Sequence, residues 1–293
     1  MMTSPSSCSL DWEAAGMPAW GTAKVARVIV AVEVPGAWGR DAVGDSGLPQ
    51  PADATLYLIR RVGRHAVAGE TARVFVGGGF GDEPWLVEAT LRRQDVTGLL
   101  AGDVADRARL TSFGFAARPE PVLLVCTNGR RDACCAVRAR PVAEAAHAAA
   151  PDNVWEVSHI GGHRFAPTAI HLPSGQTFGR LTGQAAAQLA TTTMTSTLDP
   201  AVQQSFSSTT HRGRIDLPPV AQVAETWWRE RHPGLTMAPV NDIGVPVADR
   251  QDGWLVSLPD GTTLAVTSVV GEPLRDSCLK DAKPSASYSA RVS

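Results

Sequence analysis

Apolar and polar positions follow a regular order in the middle of the chain. The run PVLLVC is apolar and of strand length, and the alanine-rich stretch after Asp132 is typical of a helix, which Pro141 should kink or divide. Further strand patterns and a second helical pattern follow. The predicted strands are 121–126, 154–160, 168–172 and 177–181, and the predicted helices are 134–150 and 182–194.

This order of a strand, a helix, three strands and a helix is the order of a thioredoxin-like α/β domain. A right-handed crossover joins the first two strands, which are therefore parallel, and a hairpin follows. The N-terminal part has a less clear version of the pattern, with a helical stretch at 54–65 and strands at 24–34, 72–78 and 85–93. We therefore expect a thioredoxin-like domain, preceded by a possible second thioredoxin-like α/β half.

The composition changes after residue 195, where Ser and Thr become frequent as in a linker. Residues 218–233 carry the apolar stripe of a helix. Residues 254–258 and 262–270 flank the turn PDGT of a β-hairpin, and the polar tail 280–293 is expected to be mobile. The predicted domains are an N-terminal α/β domain (1–118), a thioredoxin-like domain (119–195), and a linker, helix, hairpin and tail (196–293).

Charge and cysteine content narrow the classes of function. The 27 Lys and Arg residues nearly balance the 29 Asp and Glu residues, so no strong field attracts nucleic acid or a membrane surface. We expect small-molecule or protein partners. No signal peptide and no run of about 20 apolar residues is visible, which predicts a cytoplasmic protein. Five cysteines are too few for a disulfide framework and favour reduced or metal-bound thiols.

The candidate chemistry lies where two predicted strands end. Cys126 closes the strand 121–126, Cys134 and Cys135 begin the following helix, and the segment SHIGGH after the next strand contains His159 and His163. The carboxyl ends of parallel strands share one sheet edge, where ligand sites of open α/β sheets lie. Two thiolates and two imidazoles at one edge can hold iron or zinc. Adjacent helical residues point about 100° apart, so only one of the two adjacent cysteines can be a ligand.

These segments resemble the sucrase/ferredoxin-like family, a group of thioredoxin-like ferredoxins. CTNGRRDACCAVRARP and SHIGGHRFAPTAIHLPSGQTFGRL carry the resemblance, which extends over most of residues 20–220. It implies a [2Fe–2S] cluster bound by two cysteines and two histidines. By motif position the ligands are Cys126, Cys135, His159 and His163. Phe178 stands where relatives often carry tyrosine, a departure in peripheral packing only.

The resemblance implies an electron-transfer or redox-sensing protein and not a sucrose hydrolase. With two thiolates and two neutral imidazoles the oxidised cluster is neutral, whereas four thiolates leave two negative charges, so the reduction potential should exceed that of a plant-type ferredoxin. Histidine ligation should also make the potential depend on pH. No nucleotide-binding fingerprint is present, so an external redox protein or reductase is required.

Two alternatives remain from the residues alone. The four ligands would equally satisfy a structural Cys2His2 zinc site, and Cys126 could instead be the nucleophile of a thiol-dependent oxidoreductase. Cys8, Cys134 and Cys278 are interpreted as apolar fillers, with Cys278 a bystander. Five histidines are interpreted as surface or hydrogen-bonded core residues without a ligand role: His65, His147, His171, His211 and His232. Residues that could flank the cluster or face a partner are Trp38, Arg40, Asp41, Arg130, Arg131 and Arg164.

Overall fold

The computed structural model describes residues 7–63, 68–249 and 253–293. The helices are α1 (Cys8–Ala14), α2 (Arg93–Leu100), α3 (Arg107–Ser112), α4 (Ala133–Val137), α5 (Ala139–Ala149), α6 (Gly183–Leu189), α7 (Pro200–Gln204) and α8 (Pro219–Arg231). None of these described helices has the length and apolar character needed to cross a membrane.

The strands alternate with these helices and form two sheets. They are β1 (Val28–Glu33), β2 (Thr55–Arg61), β3 (Thr71–Gly78), β4 (Trp85–Arg92), β5 (Ala116–Ala117), β6 (Val122–Cys126), β7 (Val154–Val157), β8 (Ala169–Leu172), β9 (Gln176–Phe178), β10 (His211–Arg214), β11 (Val247–Asp249), β12 (Gly253–Ser257), β13 (Thr263–Leu274) and β14 (Lys283–Val292). The large curled sheet has the order β10-β9-β8-β6-β7-β2-β1-β3-β4-β5, and the small antiparallel sheet has the order β11-β12-β13-β14. The fold is therefore mixed α/β.

The central strand β6 is buried on both faces, which explains its unbroken apolar sequence. Leu123 and Val125 pack on α5 and α6, while Leu124 and Cys126 face the opposite cluster, which contains Trp155. Alternate residues of a strand point to opposite faces, so the last residue of β6 places its thiol on the side away from α5.

The predicted order of elements in the middle segment is confirmed. β6 pairs in parallel with β7 and antiparallel with β8, and β8 and β9 form the hairpin. The Asp132 side chain accepts the backbone N–H of Cys134 at 3.0 Å and caps α4. Helix α4 ends before Arg138 and α5 begins at Ala139, so the stretch is divided as Pro141 predicted. β7 ends at Val157, three residues earlier than expected.

The helix predicted at 54–65 is wrong, because residues 55–61 form strand β2. This strand lies between β1 and β7 and its interior residues are buried on both faces. A short apolar run without alternation is compatible with both a buried strand and a buried helix, so its periodicity could not decide. His65, at the end of that predicted helix, lies outside the described residues.

The C-terminal region is more ordered than its composition suggests. The tail expected to be mobile contains β14, which pairs antiparallel with β13. The segment interpreted as a linker contains α7, and β10 follows it as an edge strand against β9. The sequence of β10 is HRGR, yet all four residues are buried, because ion pairs and hydrogen bonds satisfy their polar groups. The sequence of β10 has neither an apolar run nor an alternation of apolar and polar residues, so it does not predict a strand.

We predict that His171 makes stability depend on pH. It is fully buried in β8, donates from Nε2 to the Thr192 carbonyl oxygen at 2.9 Å, and burial lowers its pKa to about 4. Between pH 6.5 and 4 the unfolded chain binds the proton and the folded chain does not, so stability falls as pH falls. At pH 5 this single group should cost about 2 kcal/mol relative to pH 7.5.

Urea unfolding of wild type and His171→Gln at pH 7.5 and pH 5 measures this contribution. The variant should lose less stability between the two pH values, whatever its stability at pH 7.5. His147→Gln, on the half-exposed face of α5, is the matched control and should keep the wild-type loss. Equal losses in wild type and His171→Gln would show that His171 does not carry the effect.

Candidate metal centre

Two cysteine thiols meet at the carboxyl end of β6. Cys126 is the last residue of that strand, and Cys135 lies in the first turn of α4. Both side chains are buried in one cluster with Trp155 and Ile160. A single short loop joins β6 to α4, so the chain returns to the strand end within nine residues and brings the sulfurs together.

The two histidines lie on the loop that follows β7. A ring nitrogen of His159 and the sulfurs of Cys126 and Cys135 lie within 4.8 Å of one another. His163 begins a 3-10 turn and lies outside that group, with its ring centroid 5.2 Å from that of His159 and its Nε2 3.9 Å from Asp132 Oδ2. The structure groups three of the four predicted ligands and places the fourth beside them.

Ring nitrogens of both histidines lack hydrogen-bond partners within the described part of the chain. His159 Nδ1 and both nitrogens of His163 are buried and make no hydrogen bond there, although His163 Nε2 faces Asp132 Oδ2 at 3.9 Å. A buried polar atom without a partner costs roughly 1–3 kcal/mol, and a bond to a metal ion would remove that cost. Here these nitrogens lie next to two thiols.

Electrostatics move Cys126 and His163, but not Cys135, towards the forms that bind a metal. A hydrogen bond between the two thiols lowers the pKa of Cys126 and raises that of Cys135. Burial lowers the pKa of His163, and this effect exceeds the opposing attraction of Asp132. Thiolate sulfur and neutral imidazole are the forms that bind metals.

A buried arginine from β10 lies under the histidine loop. Arg212 is 1% exposed and donates from Nη1 to the Gly161 carbonyl oxygen at 3.0 Å and from Nε to Thr22 Oγ1 at 3.1 Å. Burial lowers its pKa to about 10, although the sulfurs of Cys126 and Cys135 favour its charged form. The thiols therefore have a fixed positive charge close to them.

The same arginine explains one of the two loop glycines. Gly162 has φ +71, and a Cβ there would lie 2.5 Å from the guanidinium carbon of Arg212. Gly161 has φ +81, but a Cβ at this position would meet no other atom of the described residues within 4 Å. The positive φ favours glycine at both positions. Only at Gly162 does Arg212 also leave no room for a Cβ atom.

A cleft of about 360 Å³ opens beside His159. Its lining includes Arg40, Asp41 and Arg131, three of the residues expected to flank the site, together with Lys24. The other three flanking residues lie elsewhere. Arg164 is 3.6 Å from Asp276 and stacks on Trp12, Arg130 is exposed, and Trp38 is buried beneath Arg60.

The other cysteines do not act as separate fillers. Cys134 points away from Cys135 and lies with Cys8, Cys278 and Asp132 in a second group whose candidate ligand atoms are within 4.8 Å of one another. Cys278, interpreted as a bystander, is 3.1 Å from Cys134 Sγ. The two adjacent cysteines thus serve two different clusters, as their angular separation on α4 requires.

Comparison with known proteins agrees with the motif. The profile described as Sucrase/ferredoxin-like matches residues 20–206, well over half of the chain. The chain belongs to this family. Within the sucrase/ferredoxin-like match lie Cys126, Cys135, His159 and His163, whereas Cys8 and Cys278 lie outside it. No curated protein and no solved structure matches the chain.

The role of Arg212 was not predicted from the sequence of this sucrase/ferredoxin-like protein. The segment HRGR is dense in charge, which usually indicates a solvated strand or loop. Its role depends on the pairing of β10 with β9, which places it at the edge of the sheet nearest the histidine loop. Only the repeated arginines beside a glycine hinted that the backbone there approaches another element.

We predict that Gly162→Ala is more damaging than Gly161→Ala. Both substitutions force alanine into the left-handed region at about 1–2 kcal/mol. Gly162→Ala also displaces the buried guanidinium of Arg212 from its hydrogen bonds, so its total loss should reach about 3 kcal/mol. Urea unfolding gives the two free energies, and similar losses would mean that Arg212 does not depend on the space at Gly162.

Proposed function

We propose that this protein is an electron carrier or redox sensor that binds one [2Fe–2S] cluster through Cys126, Cys135, His159 and His163. The observation that carries the proposal is the convergence of two buried thiols and an imidazole at the end of β6, with a second imidazole beside them. The family's ferredoxin-like description supports it. Bound there, the cluster would accept and release one electron.

The donor set fits such a cluster. Thiolates and imidazoles are established ligands of [2Fe–2S] centres, with histidines on one iron and cysteines on the other. The chain supplies one pair of each type, and the unpaired buried nitrogens of His159 and His163 are atoms that ligation would satisfy. The two thiols are buried among Trp155, Ile160 and Phe75, whereas His159 is half-buried beside the cleft, so solvent would reach a bound group from the histidine side.

The spacing of the four ligands favours a group with two centres over a single zinc ion. A mononuclear tetrahedral site draws four ligand atoms around one point. Here His163 stays outside the close group formed by Cys126, Cys135 and His159. A cysteine pair next to a histidine pair is better matched by a ligand with two metal ions.

We also propose that the core around the site is thioredoxin-like. The segment β9-β8-β6-β7 has a parallel pair joined by α4 and α5, followed by an antiparallel hairpin and α6. This is the connection order expected for that fold. It supports the proposal because it places both ligand loops at one edge of the sheet.

Two features of the chain would adjust the site for electron transfer. The fixed charge of Arg212 near Cys126 and Cys135 stabilises additional negative charge in a buried region. A histidine nitrogen can bind a proton when the cluster accepts an electron, and the charge of the proton partly neutralises that of the electron. We expect both to raise the reduction potential above the value of about −400 mV typical of plant-type ferredoxins.

The partner would be an external redox protein. Lys24, Arg40 and Arg131 give the cleft beside His159 a positive rim, with Asp41 as a single opposing charge. An acidic partner would be attracted to this rim, and the encounter would bring it close to the histidine side of the site.

We predict that aerobically purified protein is red-brown and contains about two iron and two sulfide per chain. Cys126→Ser should remove the visible absorption and most of the iron. Cys278→Ser, which removes a thiol of the second group, is the control and should keep both. Colourless wild-type protein with zinc in place of iron would contradict the iron–sulfur assignment.

We further predict that the reduction potential falls as pH rises from 6 to 9. Proton uptake coupled to reduction favours the reduced form at low pH, with a slope of up to about 59 mV per pH unit for one proton per electron. His163→Cys should lower the potential and flatten the slope, because the new thiolate adds negative charge. Potentiometric titration at each pH measures both, and a pH-independent wild-type potential would argue against histidine ligation.

A further inference from the structure

Three thiols from distant parts of the chain meet beside α4. Cys8 is the first residue of α1, Cys134 lies in α4, and Cys278 lies in the segment that joins β13 to β14. The Sγ atoms are 3.5 Å apart for Cys8 and Cys134, 3.1 Å for Cys134 and Cys278, and 3.6 Å for Cys278 and Cys8. The sulfurs therefore form a nearly regular triangle.

A carboxylate completes the cluster. Asp132 Oδ1 and Oδ2 lie 3.9 and 4.0 Å from Cys8 Sγ. The carboxylate is held in place by the backbone N–H groups of Cys134 and Cys278, each at 3.0 Å, and by the Ser277 hydroxyl at 2.9 Å. Its position is thus fixed by the same two segments that supply two of the thiols.

We propose that Cys8, Cys134, Cys278 and Asp132 form a second metal site, for zinc. Zinc accepts three thiolates and one carboxylate in a tetrahedron, and Zn–S bonds of about 2.3 Å place the sulfurs roughly 3.8 Å apart. The triangle would expand by about 0.2 and 0.3 Å on two sides and by about 0.7 Å between Cys134 and Cys278. The carboxylate favours zinc over copper(I), which prefers sulfur alone.

The arrangement is that of a structural site. Cys8 and Cys134 are buried, and Cys278 is half-buried. The site joins the N-terminal helix and a C-terminal segment to α4, and Asp11 and Trp12 of α1 reinforce this contact through Arg275. A metal ion here would fasten both ends of the described chain to the core.

This second site shares no ligand with the proposed cluster site, although Asp132 Oδ2 lies 3.9 Å from His163 Nε2. Two of its four ligands lie outside the family match, so the family's ligand pattern does not include it. Cys134 and Cys135 are adjacent yet contribute to different groups. The two sites can therefore be removed separately, and failure of one proposal leaves the other open to test.

The experiment measures zinc and iron per chain by mass spectrometry of full-length protein purified without chelator. Wild type should contain on the order of one zinc per chain. In the double variant Cys8→Ser/Cys278→Ser the zinc content per chain should fall at least ten-fold, and the iron content should stay at the wild-type value. The matched variant Cys126→Ser/Cys135→Ser should keep the zinc and lose the iron. Zinc absent from wild type, or lost only in the second variant, would overturn the proposal.

Alkylation provides a readout that does not require the first double variant to fold. In the Cys126→Ser/Cys135→Ser protein, the three remaining thiols should resist iodoacetamide until a zinc chelator is added, and then all should react. Thiols that react at once would show an unliganded cluster. An intact mass two hydrogens low would show a disulfide, and copper in place of zinc would show a different metal; each of these outcomes overturns the assignment.

Discussion

The parallel pairing of β6 with β7 is the constraint on which the ligand arrangement depends. Cys126 lies opposite Val157 in this pair, so both strands end at the same level. The loop to α4 and the loop with the two histidines therefore leave the sheet side by side. If β7 ran in the opposite direction, its carboxyl end and the histidines would lie at the other edge. The approach of His159 to the two sulfurs follows from this pairing, whereas the loop to α4 brings Cys135 to Cys126.

The sequence predicted the parts of the fold that have local signals. Asp132 as a cap, the division of the helix near Pro141, and the turn between β8 and β9 all depend on residues close in the chain. The convergence of Cys126 with His159 also followed, because a crossover connection fixes the direction of two strands. Features that depend on residues close together in the chain could therefore be predicted from the sequence alone.

Other features depend on contacts between distant segments and could not be predicted. Residues 56–59 of β2 are all apolar because strands and layers cover both faces of the strand, and that environment is absent from its own sequence. Arg212 and Arg214 have the sequence pattern of solvent-exposed residues, yet they are buried with Thr22 and Glu225 as partners. Each of the three thiols of the second group is isolated in the sequence, since up to 270 positions separate them. Only the folded chain brings them together.

The contact between α1 and the segment after β13 has a consequence for folding during synthesis. Trp12 donates to the carbonyl oxygen of Arg275, a residue that is synthesised 263 positions later. Domains generally begin to fold from the N-terminus as the chain emerges from the ribosome. The apolar face of α1 then lacks this neighbour until Arg275 has left the ribosome. This contact of α1 can therefore form only after the elements from β1 to β13 have been synthesised.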